Sequence, residues 1–535
     1  MDARVRTWKH KLSQMQADRG IFNAQWDEVA KVVCPDAAKF TSDYNTAGQK
    51  NNQELYDATG VHSNELLAAG FYSMLTSPSQ KWFEISTNNY ELNQEREMQL
   101  WLAEVSRRMY YEIQRPQSNF VTSMHEVYQS LGAFGNGILF VTENRQLNAL
   151  QFNSLPLQEC YFLEGQNGRV DTLYRVYNRT AFQLVNTFGY DRVSKATQKK
   201  YDDNNLMDKV KVLHIIEPSI GKGNKAYASI YVELEAEHIL SEGGFEEQPF
   251  MTSRFYKTSY EVYGRGPGSS ALSDLKMLQQ IEKTVLRGAQ KIVDPPLLVP
   301  DQGFIGDIRT YAGGISYFRT GLSSDDRIMP LQTGGNPTLG EEIAQGYRDR
   351  IREMFYVDQL QLNNGPQMTA TEVIQRNEDR LRLLGPVTGR VQAELLGPCL
   401  QRVFGLLMRA GRLPEVPEVM QDPSIKLKIV YQSPMMKAQE QTEANGLLRV
   451  TQLISPFMSM DPTVMDVFNS EAIARGMGEM YSINPEFFRS NKEVEAIRNQ
   501  RAQAQQAQAQ TEQLRNGGAG LKDMAQGMAA LGGLQ

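Results

Sequence analysis

Residues 263–301 read YGRGPGSSALSDLKMLQQIEKTVLRGAQKIVDPPLLVPD, and no other stretch narrows the possible folds as much. A glycine-rich turn (Gly264, Gly266, Pro267, Gly268) opens a helix, and the double proline Pro295-Pro296 closes it. Leu272, Leu275, Leu278, Ile281, Val285, Ala289 and Ile292 recur at steps of three and four, which lays one apolar stripe along the helix. From Ser269 to Val293 such a helix spans roughly 37 Å at about 1.5 Å per residue. Charge runs the length of the other face, so the pattern predicts a strut packed on one side only.

A second strut is predicted from Glu341 to Leu362. Ile343, Tyr347, Ile351, Met354 and Phe355 stand at helical spacing there, with Arg348, Asp349, Arg350 and Glu353 between them. The two struts bracket Pro295–Asn336, a segment rich in Gly, Pro and Asp. The simplest path goes up one helix, around a compact insertion, and down the other; an ordinary helical hairpin in a globular core is the alternative.

A third segment starts at Thr369 and Glu372, which have capping-box spacing, and ends at Gly411 and Pro414. Inside it LLGP occurs twice, at Leu383–Pro386 and Leu395–Pro398. Proline lacks the helical donor and clashes with the preceding turn, at a cost of about 3 kcal/mol. Two such sites survive in a helix only with compensating packing, which predicts one long helix bent at Gly385-Pro386 and Gly397-Pro398. Three short helices with turns at each Gly-Pro remain the alternative.

The rest of the chain reads as α+β. Helices are expected at Ala3–Ala17, Phe22–Val33, His62–Leu75 and Phe120–Leu131, with Trp8, Trp26, Trp82 and Trp101 anchoring a core. Strands are expected at Ile138–Thr142, Thr172–Asn178, Val210–Glu217, Ala228–Leu234 and Phe250–Tyr256. The charged stretch Asp191–Asp208 reads as a surface loop, and Ile425–Gln432 as a strand returning to the same sheet. Helices are expected again at Ala438–Ile454, Pro462–Arg475 and Pro485–Gln510, before a low-complexity tail with little to bury.

Known chemistries find little support. The five histidines (His10, His62, His125, His214, His238) lack partners at metal-ligand spacing. Cys34, Cys160 and Cys399 are odd in number and far apart, which fits a reducing compartment and small core residues. Gly264-x-Gly266-x-Gly268 lacks the full dinucleotide fingerprint and reads as a hinge. Gly132-x-x-Gly135-x-Gly137 falls between a helix and a strand, where glycine supplies positive φ. Neither a phosphate-binding P-loop nor a G-x-S-x-G elbow occurs, so no catalytic, metal or cofactor site is predicted. The net charge of −6 argues against a basic nucleic-acid-coating protein. No run of 18 apolar residues predicts a membrane span, and the charged start MDARVRTWKHK does not read as a secretory signal.

Taken in order, these pieces resemble the portal, or head-to-tail connector, proteins of T7-like short-tailed bacteriophages. The matching motifs are Trp26-Asp27-Glu28 with Pro35, LYDATG (Leu55–Gly60), LLAAGFYSMLTSPSQKWF (Leu66–Phe83), GAFGNGILFV (Gly132–Val141), YGRGPGSSAL, DPPLLVPD, and MTATEV with its LLGP continuation. The likeness fades at Asn178–Lys211, Gly303–Asn336 and after Pro434. It implies an α+β viral portal fold: an α/β wing (1–262), stem helices (263–294 and 337–362), a clip (295–336) and a channel loop (363–368). A kinked helix with a return strand of the wing (369–438), a crown (439–499) and a tail (500–535) complete it.

The resemblance also implies a structural protein rather than an enzyme. About twelve copies would form a closed ring at one capsid vertex. Double-stranded DNA would pass through it without sequence preference during packaging and ejection. Expected partners are the large terminase subunit, a tail adaptor, the major capsid and scaffolding proteins and internal core proteins, with no membrane and no cofactor. The location would be the virion head–tail vertex, after assembly in the host cytoplasm. The channel loop would be Asn363, Asn364, Gly365, Pro366, Gln367 and Met368, and an acidic lumen would let DNA slide. Candidate stem-interface charges are Arg348, Arg350 and Arg352 against Asp274, Glu282 and Glu353. The alternatives are an internal virion or scaffold protein contacting DNA without a closed ring and, after that, an unrecognised phage enzyme.

Overall fold

The computed structural model describes residues 3–37, 39–42, 55–78, 81–144, 146–219, 225–298, 304–305, 317–318, 329–330, 337–360, 383–418, 427–431, 446, 448–450, 452–453, 469–480, 487–489, 493–504 and 506. Expectations for the channel loop 363–368, for 369–382, and for most of the clip, crown and tail therefore lie outside the described residues. The chain divides into two units, Met1–Trp82 with Arg108–Leu413, and Phe83–Arg107 with Pro414–Gln535.

In the larger unit one helix, Ala3–Val33, replaces the two that were expected. Gly20 does not end it, because tertiary contacts on both sides hold the backbone. Arg19 is buried and donates to the carbonyls of Leu157 (2.9 Å), Cys160 (2.6 Å) and Gln158 (3.0 Å), with its guanidinium 3.8 Å from the Tyr161 ring centre. Past the glycine, Phe22 and Trp26 pack against Tyr263. Asp27 then accepts from the Phe40 and Thr41 amides, which folds the chain back over Trp26.

A five-stranded antiparallel meander carries this helix: Cys160–Glu164, Val170–Thr180, Lys209–Pro218, Tyr227–Glu233 and His238–Phe245. Alternate side chains of a strand face opposite ways. Leu213 and Ile215 accordingly join Val5, Trp8, Leu12 and Met15 of the helix, while Val210 and Val212 join Leu184 and Val193 on the other face. The stretch Asp191–Asp208, expected as a loop, holds the helix Lys195–Asp202. Ser194 caps that helix, and Ser194 and Thr197 both bind the buried Glu233 carboxylate. A smaller sheet pairs Asn136–Asn144 with Ala149–Ser154 on one side and Phe250–Arg254 on the other.

The smaller unit contains a two-stranded sheet of Phe83–Thr87 and Leu427–Tyr431. The strand expected at Ile425–Gln432 therefore joins Phe83–Thr87 and not the large sheet. Its alternation is compatible with any half-covered partner, so periodicity alone did not select one. The Ile85 amide donates to Ser106 (2.9 Å), and Trp101 is buried with its indole N–H on the Pro414 carbonyl. The helices Ser470–Met480 and 493–504 complete what is described there. No helix of the described residues is long and apolar enough to cross a membrane.

Candidate functional site: the paired helices and their base

The two glycine motifs, far apart in sequence, fit into each other. Gly135 adopts φ +76 and ends the helix Phe120–Phe134. Its carbonyl accepts from the Phe255 amide, and the Asn136 side chain bonds both the N–H and the C=O of Gly264. A Cβ on Gly266 would stand 2.7 Å from the Gly132 oxygen and 2.8 Å from both the Leu131 oxygen and the Gly135 nitrogen. The two backbones touch where side chains cannot intervene. Both motifs are thus explained by mutual packing, with Pro267 as the first residue of the helix that follows.

From this base the helix Leu272–Val293 runs out and Pro337–Met354 returns. Leu275 and Leu278 on one, and Ala344 and Ile351 on the other, are fully buried. Gly340 lies against Val285, which lets the helices approach closely. The apolar stripe of the first helix is covered near its base and opens towards its end, where Ile292 is 53% exposed. Outward from the pair stand Met277, Leu286, Leu339 and Ile343, each about half exposed (48%, 50%, 57% and 47%).

The LYDATG segment ties the pair to the body. Gln279 accepts from the amides of Tyr56 (2.6 Å) and Asp57 (2.9 Å) and donates to the Asp57 carbonyl (2.7 Å). Asp57 Oδ1 accepts from the Thr59 amide (2.7 Å) at the start of Thr59–Leu75. Asp57 Oδ2 accepts from Arg348 Nε (2.8 Å), and the same guanidinium donates to Glu341 (2.7 Å) and Glu282. Burial alone would raise the Asp57 carboxyl, but hydrogen bonds from Thr59 and Arg348 hold it below its ordinary value. Glu282 is raised instead, chiefly by burial, with the Glu341 and Asp57 charges adding to it against the pull of Arg348.

Opposite pH dependences follow. Asp57→Asn is expected to cost about 2 kcal/mol at neutral pH by removing a charge-assisted bond. The Asp57 contribution is complete above its unfolded value of about 3.9 and is lost as pH falls through the lower folded value. The Glu282 contribution is complete below about 4.3 and is lost as pH rises through its raised folded value. Glu282→Gln, which keeps an acceptor for Arg348, is therefore expected to be near neutral at pH 7. Thermal melts of both variants across the acid range check this; an Asp57→Asn deficit that grows on acidification would contradict it.

Of the six charges singled out in the sequence, the structure brings Arg348 and Glu282 together within one chain. Arg350 lies over the Tyr347 ring (4.1 Å to its centre), and Arg352 meets Asp349 at 3.4 Å. Among the described residues Asp274 and Glu353 form no salt bridge. The second strut, expected as one helix to Leu362, is broken at Tyr356 (φ +57) and resumes over Val357–Leu360.

Residues 383–409 are helical throughout, as α over 383–391, π over Gln392–Leu396 and α over Gly397–Arg409. No turn interrupts the chain at Gly397-Pro398; the Gly397 N–H bonds the Gln392 carbonyl. Val387, Val391, Leu395, Cys399, Val403 and Leu407 are buried at unbroken steps of four. Each such step overshoots an α-helical turn by about 40°, so five would carry the row about 200° round the helix. The π-turn absorbs one residue, about 100° of that drift, and holds the row towards the core. Pro398 follows directly, where its missing donor falls at the change of register. At Gly385-Pro386 the Gly385 carbonyl accepts from the Thr388 hydroxyl (3.0 Å).

Glu394, inside the π-turn, meets Arg254, whose side chain is 1% exposed. Arg254 donates to Glu394 Oε1 (2.6 Å) and Oε2 (3.2 Å), to Glu164, and to the carbonyls of Gly168 (2.8 Å) and Val262 (3.2 Å). Burial would raise the Glu164 carboxyl, but Lys257 and Arg254 hold it low. One guanidinium thus joins the smaller sheet, the edge of the meander, the approach to the long helix and the π-turn. Sequence reading missed this junction, since Arg254 follows an ordinary strand pattern and Glu394 looks like a solvent-facing helix residue.

Two of the cysteines and one of the histidines are insulated from solvent. Burial pushes the Cys160 and Cys399 thiols up to about 12. His214 is lowered to about 3 by burial, with Arg175 adding to it, while its ring stacks on Tyr231 and meets Ser229 at 2.9 Å. The described residues contain no cluster of His, Cys, Asp and Glu suited to a metal. What the arrangement offers is a rigid base with two projecting helices.

A family model described as bacteriophage head to tail connecting protein matches residues 5–488. The chain is 32% identical over 521 residues to a probable portal protein of Bordetella phage BPP-1, covering 94% of this chain and 92% of that one. It is 30% identical over 516 residues to the portal protein of Salmonella phage epsilon15, covering 93% and 91%. The portal protein of Escherichia phage T7 is 20% identical over 431 residues, covering 78% and 77%. The chain belongs to the family of bacteriophage head to tail connecting proteins.

Proposed function

We propose that this chain is the subunit of a phage portal, a closed ring at one capsid vertex through which double-stranded DNA is packaged and later ejected. The observation that carries the reading is the helix pair Leu272–Val293 and Pro337–Met354, buried against each other near the base and bearing half-exposed Met277, Leu286 and Ile343 outward. Family membership supports it. A row of apolar residues along a rigid strut suits a repeated head-to-tail contact between copies, and such a contact makes a ring when its rotation closes. In this reading the helices are the stem and residues 295–336 are the clip that meets terminase and then the tail adaptor. Residues 363–368 line the channel, and the helix bends at Gly385-Pro386 and Gly397-Pro398 within the wing. Arg350, Arg352, Asp274 and Glu353 remain for contacts between copies, worth about 0–1 kcal/mol each when exposed; the apolar row supplies most of the adhesion.

Electron microscopy of the purified protein, with mass photometry on the same sample, tests this. Rings of about twelve copies with a central channel are expected. Leu286→Asp combined with Ile343→Asp should leave folded chains that no longer close. Rings unaffected by that pair of changes would place the contact elsewhere, and a failure of the wild-type chain to assemble would count against the portal reading.

A further inference from the structure

Tyr356 is an aromatic residue in the left-handed region (φ +57), a conformation that bulky side chains rarely adopt. It sits where Pro337–Met354 ends: its N–H bonds the Glu353 carbonyl (2.9 Å), while its own carbonyl accepts from Gln359 (3.2 Å) and Leu360 (3.1 Å) and starts the next turn. Its hydroxyl is hydrogen-bonded to that of Tyr256. Tyr256 is itself fixed, because its N–H and C=O both pair with Arg265 (3.0 and 2.8 Å) just ahead of the first long helix. Beyond the break, Val357 is buried, and Leu360 lies against Gly70 so closely that a Cβ there would stand 2.8 Å from it.

Nothing in the residues 337–360 forbids a continuous helix: the only proline is the first residue, and the glycines Gly340 and Gly346 lie well before the break. We infer that Tyr356 is a two-position joint, latched in the broken position by Tyr256 and by the seating of Leu360 on Gly70, and able to convert to one unbroken helix over 337–360. In the unbroken position Tyr356 takes right-handed helical angles, its phenol leaves Tyr256, and Leu360 leaves Gly70. The Val357 and Asp358 amides, which as first-turn residues lack intrahelical acceptors, then gain the carbonyls of Glu353 and Met354. In a portal ring the two positions would change the direction in which each copy's chain leaves its second long helix.

The joint itself does not require a ring, so hydrogen exchange on the full-length chain tests it separately from the portal reading. Tyr256→Phe removes the hydroxyl hold and leaves the Leu360 seat as the remaining latch against the left-handed cost of Tyr356, which shifts the joint towards the unbroken helix by the net worth of one hydrogen bond, about fivefold. Peptides covering 354–360 should then exchange about fivefold more slowly than in wild type. Tyr256→Phe combined with Tyr356→Gly, which frees the left-handed angle, should return to the wild-type rate. Unchanged or faster exchange in Tyr256→Phe would overturn the joint, as would protection that persists in the double variant.

Discussion

Arg254→Ala is expected to be the most damaging single side-chain truncation in the larger unit, lowering its stability by about 3–5 kcal/mol. The guanidinium is 1% exposed, and its removal leaves Glu394, 10% exposed, without its cation. Glu164 keeps Lys257 at 2.6 Å and is more exposed, so the loss falls mainly on the π-turn. Breaking one side of a buried pair is far worse than removing both, because an uncompensated charge stays behind. Arg254→Met with Glu394→Met should therefore recover much of the loss. The check is the apparent midpoint of denaturant unfolding for both variants; equal destabilisation of the single and double variants would show that the junction acts through packing and not through charge.

Gly266→Ala is expected to prevent correct folding of the base of the long helix. Its new methyl would meet three backbone atoms at 2.7–2.8 Å, and no side chain can swing aside to relieve them. Relief requires the Phe120–Phe134 helix end and the Pro267 turn to separate, which also strains the bonds from Asn136 to Gly264. Soluble yield should fall sharply, and any purified protein should be destabilised by about 1–3 kcal/mol or more, the range of core overpacking, and melt at a correspondingly lower temperature. Gly288→Ala is the matched control: a Cβ there meets nothing within 4 Å, and alanine favours the helix by about 1 kcal/mol. Equal behaviour of the two variants would contradict the interlock.

Legibility in the sequence followed the physics of each signal. Long, strongly periodic segments were readable: the helix ending at Val293, and strands such as Lys209–Pro218, whose two buried faces give a nearly unbroken apolar run. The glycine motifs were readable as turns, but their mutual fit was not, since it depends on pairing residues more than a hundred positions apart. The break at Tyr356 was hidden because tyrosine is no helix terminator; the strain is held by a partner a hundred residues earlier. Gly20 erred the other way, as a local stop overruled by Arg19 and Trp26. Arg348 and Glu282 were picked out by charge, while Asp57 was visible only as part of the LYDATG motif and Gln279, which completes the cluster, only as a polar position on the first strut.

The π-turn has a consequence for chain length. Between Val391 and Gly397 the helix holds one residue more than an α-helix needs to present the same two faces. A relative lacking one residue there could lay down an unbroken α-helix with Val387 and Val403 in the same places, whereas a deletion one turn further along would swing Cys399, Leu400 and Val403 out of the core. Single-residue gaps between related chains should therefore be tolerated at 392–396 and nowhere else in 383–409.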